Sequence, residues 1–172
     1  METIPTSPVT VFISYAHEPN IFGHREAALA LAQSLRLDGI AATIDQYVEQ
    51  DPPYWPRWMI NRVRDSDFVL CLASPTYKER FEQEGDPLRG RGARWEGAVI
   101  TEEMYRRDDH GNSKFIAILL EGRGQDEIPD LLMPLGRTHY VLPAGYEELC
   151  RRLTGQRRVT PAPLGPLIRF DS

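Results

Sequence analysis

Residues 65–77 read DSDFVLCLASPTY, and residues 68–73 within them form an unbroken apolar run. A run of this length predicts a strand that is buried on both faces, as at the centre of a parallel sheet. Polar side chains follow it at once, beginning with Ser74. This stretch therefore predicts a central strand that ends in a polar rim.

Outward from this stretch, strand-like runs and helical patterns alternate along the chain. The predicted strands are 9–15, 40–45, 68–73, 115–120 and 139–142, and the predicted helices are 26–37, 58–65, 95–105 and 146–153. This alternation predicts an α/β, flavodoxin-like three-layer fold, with a five-stranded parallel sheet in the order 2-1-3-4-5 and helices on both faces. Residues 50–56 are predicted to be a loop, and residues 79–94 an exposed, mobile loop.

The length of 172 residues suits one domain with short tails. We assign residues 1–8 to an N-terminal tail, 9–154 to the domain, and 155–172 to a C-terminal linker or tail that leads toward a sensor or partner module. This last segment is basic, then proline-rich, then apolar. Proline stiffens such a spacer, and we expect the segment to be dispensable for folding of the domain.

Composition excludes several classes of protein. A net charge of −5 argues against direct nucleic-acid binding. No apolar run reaches the roughly 18 residues that a membrane span needs, and residues 1–8 lack the features of a signal peptide. The two cysteines, Cys71 and Cys150, have no metal-binding spacing. These features predict a cytoplasmic domain without a metal site.

The sheet order also predicts where a ligand would bind. In parallel sheets ligands lie outside the carboxyl ends of the strands where the strand order reverses, which is here between strands one and three. Each residue at these ends has a structural alternative, since a serine can end a strand, a tyrosine can cover the sheet edge and an aspartate can orient its loop. The polar residues at these ends are Ser14, Tyr15 and His17, then Asp45, Gln46 and Tyr47, then Ser74, Thr76 and Tyr77.

Four segments resemble the TIR and SEFIR domain superfamily. The matches occur in the family's order across residues 9–153. FISY (12–15) is similar to the family's first strand, DGI (38–40) with IDQY (44–47) to its second, SDFVL (66–70) with SPTY (74–77) to its third, and WEG (95–97) to the start of the following helix.

The resemblance implies two different functions. Animal members are mostly adaptor modules that bind one another, whereas many bacterial and plant members cleave NAD⁺ at the nicotinamide–ribose bond as effectors of immune defence, in bacteria against phages or plasmids. The enzymes carry a catalytic glutamate on the helix after the third strand, which corresponds to Glu96 here. NAD⁺ would be the substrate and no cofactor would be needed. The implied substrate-binding residues are Ser14, Tyr15, Asp45, Tyr47, Ser74 and Trp95.

This sequence departs from the enzymes' pattern beside the glutamate. Many of them have a tryptophan four residues before it, but that position is Gly92 here and the tryptophan, Trp95, is adjacent to Glu96. Because the long preceding loop can shift the alignment, Glu102 and Glu103 remain alternatives.

One carboxylate is sufficient for this chemistry. Nicotinamide leaves as a neutral ring, so it needs no general acid, and a carboxylate can stabilise the oxocarbenium-like transition state. The resemblance also implies activation by self-assembly, with residues 47–58 as a contact loop. Two other functions stay open, a non-enzymatic SEFIR-like adaptor and a nucleoside or deoxynucleotide transferase that uses similar glutamate chemistry.

Overall fold

The computed structural model describes residues 7–82, 91–106, 114–133 and 139–171, with side chains described in the helix that begins at residue 91 only from residue 98 onward and not at residue 105. Five parallel strands form one sheet in the order β2-β1-β3-β4-β5, which confirms the predicted order. Their bounds are β1 (Thr10–Ser14), β2 (Ala41–Thr43), β3 (Phe68–Leu72), β4 (Phe115–Leu120) and β5 (His139–Leu142).

The central position of β3 explains its unbroken apolar run. It pairs with β1 on one side, where Phe12 is opposite Val69, and with β4 on the other, where Cys71 is opposite Ala117. Four of its five residues are buried. A strand that is covered on both faces has no solvent-facing side to make polar, so alternation disappears from its sequence.

Helices cover both faces of the sheet, as predicted. Helices α1 and α5 enclose a core around Ile13 and Leu70, whereas α2, α3 and α4 enclose a second core around Phe12 and Val69. The alternating residues of β1 and β3 thus point into two separate layers. The helices are α1 (His24–Leu37), α2 (Trp55–Asp65), α3 (Pro75–Phe81), α4 (Arg91–Arg106) and α5 (Tyr146–Thr154).

The predicted second strand is too long at both ends. The strand comprises only Ala41–Thr43, and Asp45 begins a short 3₁₀ helix, Asp45–Val48. The predicted loop 50–56 is also wrong at its end, because α2 begins at Trp55. Pro56 lies in the first turn of α2, where a missing backbone N–H costs nothing and the fixed φ favours the helix.

The predicted loop 79–94 is wrong in two parts. Helix α3 continues to Phe81, and α4 begins at Arg91. Ser74 begins α3, since its hydroxyl accepts a hydrogen bond from the backbone N–H of Tyr77 at 3.2 Å and caps the helix. Residues 83–90 of the predicted loop lie outside the described residues.

The chain leaves the domain after α5. Gly155 ends this helix in the left-handed conformation, with φ of 72°, as glycine does at many helix ends. Residues 155–171 form no helix or strand and are exposed. Over the described ranges of the chain, no helix is both long enough and apolar enough to cross a membrane.

Candidate functional site

The carboxyl ends of β1 and β3 meet at a rim, and the two predicted serines there are buried. The Ser14 hydroxyl and the Tyr77 hydroxyl are 3.0 Å apart and share a hydrogen bond. Ser74 caps α3 through the backbone of the same tyrosine. Both serines have no exposed surface. Their hydroxyls connect the start of α3 to the end of β1, so in this structure they stabilise the rim from its buried side.

Tyr15 and Asp45 form the polar centre of the rim. Burial raises the pKa of the Tyr15 hydroxyl, and the neighbouring carboxylate of Asp45 raises it further. Burial also raises the pKa of Asp45, although its hydrogen bond with Tyr15 opposes that shift. Among the described residues, the buried Oδ1 atom of Asp45 has no hydrogen-bond partner. A buried acceptor without a donor is costly, so this carboxylate has unused hydrogen-bonding capacity beside the rim.

An ion pair lies beside Tyr15 and Asp45. The Nη2 atom of Arg25 donates to both carboxylate oxygens of Glu49 at 2.7 Å, and Nη1 of Arg25 is 3.5 Å from the Tyr15 hydroxyl. Gln46 secures the arrangement, because its side-chain amide donates to the backbone carbonyl of Arg25 at 3.1 Å. Helix α1 and the 3₁₀ helix after β2 are thereby joined over the rim.

A second contact joins the segment between β1 and α1 to the start of α3. The carboxylate of Glu18 accepts a hydrogen bond from the Thr76 backbone N–H at 2.6 Å and one from the Thr76 hydroxyl at 2.8 Å. His24 lies nearby at the start of α1 and is only 2% exposed. Neither of its ring nitrogens has a partner within the described part of the chain, and burial lowers its pKa.

Tyr47 lies apart from this centre. Its hydroxyl donates to Gln33 on α1 at 2.7 Å, and the side chain is 40% exposed. Gln33 is eight residues after Arg25, which places it about 12 Å further along the helix, away from the rim. The structure therefore brings Tyr15 and Asp45 together and leaves Tyr47 on the outer surface.

The carboxylates of α4 occupy different positions along the sheet. Glu103 is buried, 4.0 Å from the Lys114 ammonium and 3.9 Å from the Arg64 guanidinium. Lys114 immediately precedes β4, so Glu103 lies at the amino end of the sheet, opposite the rim. Glu102 is exposed and pairs with Arg106 at 3.7 Å. Neither alternative carboxylate is at the rim.

Position 96 lies nearer the rim than Glu103 does. Glu96 belongs to α4, and the spacing of residues 96, 100 and 103 puts them on one helical stripe. Ile100 in this stripe is fully buried. Seven residues correspond to about 10 Å along the helix, in the direction of its N-terminus and of the rim. The side chains of Glu96 and Trp95 lie outside the described residues.

Comparison with known proteins identifies the family and agrees with the fold. The family model of the TIR domain matches residues 11–154. The chain belongs to the TIR domain family. A solved prokaryotic SEFIR domain is 25% identical over 92% of this chain and 100% of its own, with a TM-score of 0.62. The SEFIR domain of IL-17 receptor B shares the fold at 11% identity and a TM-score of 0.54, covering 86% of this chain and 95% of its own. No curated protein matches the sequence.

Sequence reasoning missed the ion pair of this TIR domain. Arg25 and Glu49 are 24 residues apart, and neither follows a strand directly. No spacing rule connects them, so only the folded chain shows that they meet beside Tyr15. Glu18 was missed for the same reason. Across residues 7–82, 91–106, 114–133 and 139–171, no group of three or more histidine, cysteine, aspartate or glutamate side chains could hold a metal ion.

This TIR domain also presents exposed aromatic side chains around α2 and the segment before it. TIR domains generally associate with one another or with other TIR domains, and surface aromatics are typical of protein contacts. Tyr54 is 77% exposed, and Trp55 and Tyr47 are partly exposed. They lie within residues 47–58, the predicted contact loop.

Proposed function

We propose that this TIR domain is an NAD⁺ glycohydrolase, in which Glu96 is the catalytic carboxylate and self-association activates the enzyme. We further propose that it acts as a cytoplasmic effector in bacterial immune defence. The observation that carries the proposal is the course of helix α4. Of its three glutamates, Glu103 is engaged at the amino end of the sheet and Glu102 is on the surface, which leaves position 96 on the stripe that leads to the rim.

The proposed reaction breaks the bond between C1′ of the ribose and the nitrogen of nicotinamide. The electron pair of that bond passes to the ring nitrogen, so the cationic ring leaves as neutral nicotinamide. Positive charge develops on the ribose, and the Glu96 carboxylate stabilises it. Water then adds to C1′ and loses a proton, which gives ADP-ribose.

Tyr15 and Asp45 supply the ribose-binding part of the proposed site. The Oδ1 atom of Asp45 is buried without a hydrogen-bond donor among the described residues, and a ribose hydroxyl would provide one. Tyr15 lies at the end of β1 beside this carboxylate. An acceptor that is already oriented loses little freedom when the sugar binds, which favours a fixed position of C1′.

Self-association is proposed to occur through residues 47–58. A second copy of the chain is the partner, since the family's members bind one another. Tyr54 and Trp55 are exposed there, and Tyr47 is anchored to α1 by its hydrogen bond to Gln33. Because this segment continues directly from Asp45, contact with a second copy would act on the residues beside the site.

A second candidate function is a non-enzymatic adaptor. The observation that favours it is that two structural relatives are SEFIR domains, one of them 25% identical over nearly the whole chain. An adaptor would use the same exposed aromatics and would need no catalytic glutamate. The two candidates therefore differ in one measurable product.

The test is release of nicotinamide from NAD⁺, followed by chromatography across nanomolar to high micromolar protein, with and without a crowding agent. The proposal expects product, a specific activity that rises with protein concentration, and loss of product in Glu96→Gln. Glu102→Gln is the matched control, because it removes a charge from the same helix at an exposed position. Self-association without any nicotinamide would establish the adaptor instead.

A further inference from the structure

The ion pair between Arg25 and Glu49 has no role in the reaction described so far. The pair is close, because both carboxylate oxygens of Glu49 are 2.7 Å from one guanidinium nitrogen, Nη2. Yet both side chains are partly exposed, at 38% and 42%. A pair of this kind adds little stability, since water competes for both charges. Its position beside the candidate site therefore needs another explanation.

We propose that Arg25 is the phosphate-binding residue of this site, and that Glu49 is a resting counter-ion which the diphosphate of the ligand replaces. This inference rests on the proposed NAD⁺ site and deepens it by assigning recognition of the diphosphate. A guanidinium binds a carboxylate and a phosphate with similar hydrogen-bond geometry. Glu49 thus occupies the position that a phosphate oxygen would take.

Proximity to the ribose-binding pair is the first argument. Nη1 of Arg25 is 3.5 Å from the Tyr15 hydroxyl, and Tyr15 adjoins Asp45. In NAD⁺ the diphosphate is attached to the same ribose that carries nicotinamide. A ribose held by Tyr15 and Asp45 would therefore bring its 5′-phosphate toward the rim, where Arg25 lies.

The charge of the rim is the second argument. Glu49 and Asp45 both place negative charge near the site, and both raise the pKa of Arg25. These charges would repel an anionic ligand unless Arg25 is released from Glu49 to bind that ligand. Exchange of Glu49 for phosphate meets this requirement, because the guanidinium never loses its anionic partner and only the exposed carboxylate returns to water.

The positions of other cations are the third argument. Lys78 is bound to Asp130, and Arg123 is bound to Glu127. Arg123, Glu127 and Asp130 follow β4 and Lys78 is on α3, whereas Asp45 follows β2. Two strands separate β2 from β4 in the sheet, which corresponds to roughly 14 Å at the usual strand spacing. Arg25 is on the same side as Asp45 and is held there by Gln46.

The test compares the affinities of two ligands, ADP-ribose and adenosine, by calorimetry. Wild-type protein is expected to bind ADP-ribose more tightly than adenosine. Arg25→Gln should lower the ADP-ribose affinity tenfold to hundredfold, which is the effect of losing a charged hydrogen-bonding partner, and should leave the adenosine affinity unchanged. Arg36→Gln is the matched control on the same helix, since Arg36 binds the carbonyl of Ala42 away from the rim.

Glu49→Gln provides an independent arm that keeps Arg25 in place. Removal of the competing carboxylate should raise the affinity for ADP-ribose severalfold. The proposal is overturned if wild type shows no preference for ADP-ribose, if Arg25→Gln binds both ligands equally less well, or if Glu49→Gln does not bind ADP-ribose more tightly. Absence of nicotinamide release by wild type would contradict the proposed hydrolysis alone, because both binding arms need no turnover.

Discussion

The buried polar groups at the two ends of the sheet differ in whether they have hydrogen-bonding or charged partners. At the amino end, the buried Glu103 carboxylate lies between Lys114 and Arg64, and the more exposed Thr10 and Asp67 are joined by three hydrogen bonds that involve their side chains. At the rim, Asp45 and His24 keep buried polar atoms without partners among the described residues. The amino end stabilises the fold, whereas the rim keeps hydrogen-bonding capacity for something else.

This difference agrees with the rule that ligands bind outside the carboxyl ends of parallel strands. Four buried side-chain atoms lack partners over the described ranges, and three of them belong to His24 and Asp45. The fourth, Nε of Arg62, is on α2 and we have no functional explanation for it. A comparison of mutations at the two ends can therefore separate residues that stabilise the protein from residues that act on a ligand.

The largest expected effect is at position 96. Glu96→Gln should lower NAD⁺ cleavage by about a thousandfold or more, because the neutral amide cannot stabilise positive charge on the ribose. The melting temperature should stay within about 2 °C of wild type. Chromatography of nicotinamide and thermal unfolding measure the two quantities. Normal turnover in Glu96→Gln would remove the enzymatic role from this residue.

The opposite result is expected at the amino end. Glu103→Gln leaves the buried Lys114 ammonium without its carboxylate, and loss of one partner of a buried pair costs about 3 kcal/mol of unfolding free energy. NAD⁺ cleavage per folded molecule should be unchanged. Urea unfolding and the same nicotinamide assay measure these effects. A variant that is stable but inactive would move the catalytic carboxylate to position 103.

Acid should act on the rim through His24. Burial lowers the pKa of His24 in the folded protein, so the unfolded chain takes up a proton first as the pH falls. Stability is therefore full above about pH 6.5, the ordinary histidine value, and is lost as the pH falls below it toward the folded pKa. One such group contributes a slope of at most about 1.4 kcal/mol per pH unit.

Urea unfolding of wild type and His24→Leu between pH 7.5 and pH 5 measures this slope. The variant should lose less stability on acidification, because leucine takes up no proton. His139→Leu is a suitable control, since this histidine is on the edge strand β5 and is less buried. Equal slopes for wild type and His24→Leu would show that other groups control the acid response.

The sequence could predict the features of the fold that depend on local composition and spacing. Apolar runs report burial locally, so the central strand, the strand order and both helical layers follow from composition and spacing. Tyr15 and Asp45 were found together because each closely follows the end of a strand, and parallel strands end at one edge. Helix α3 was missed although its signal was present, since Ser74 before Pro75 is a favourable helix start.

Contacts between loops could not be predicted in this way. Arg25 meets Glu49 only because α1 returns along β1 while the chain after β2 passes over the rim. Glu18 meets Thr76 across 58 residues for a similar reason. Such pairs depend on where two irregular segments cross, and neither hydrophobic periodicity nor a strand-end rule contains that information.

The smallest effect is expected for the C-terminal segment, which belongs to neither end of the sheet. Every described residue from 159 onward is exposed, including Leu164, Leu167, Ile168 and Phe170. Contacts with α5 come from residues before that point, since Gln156 donates its backbone N–H to the Arg151 carbonyl at 2.9 Å and Arg158 pairs with Glu147 and Glu148. Removal of residues 159–172 keeps these contacts.

The melting temperature of that truncated protein should stay within about 1 °C of wild type, because no buried apolar surface is lost. Nicotinamide release should also be retained at equal protein concentration. Differential scanning calorimetry of both proteins provides the measurement. A second truncation, after Gly155, removes the Gln156 and Arg158 contacts and separates their contribution from that of the apolar residues. A fall of several degrees in the shorter deletion would mean that Leu164, Leu167, Ile168 and Phe170 pack on the domain in solution, and the segment would then be part of the fold and no linker.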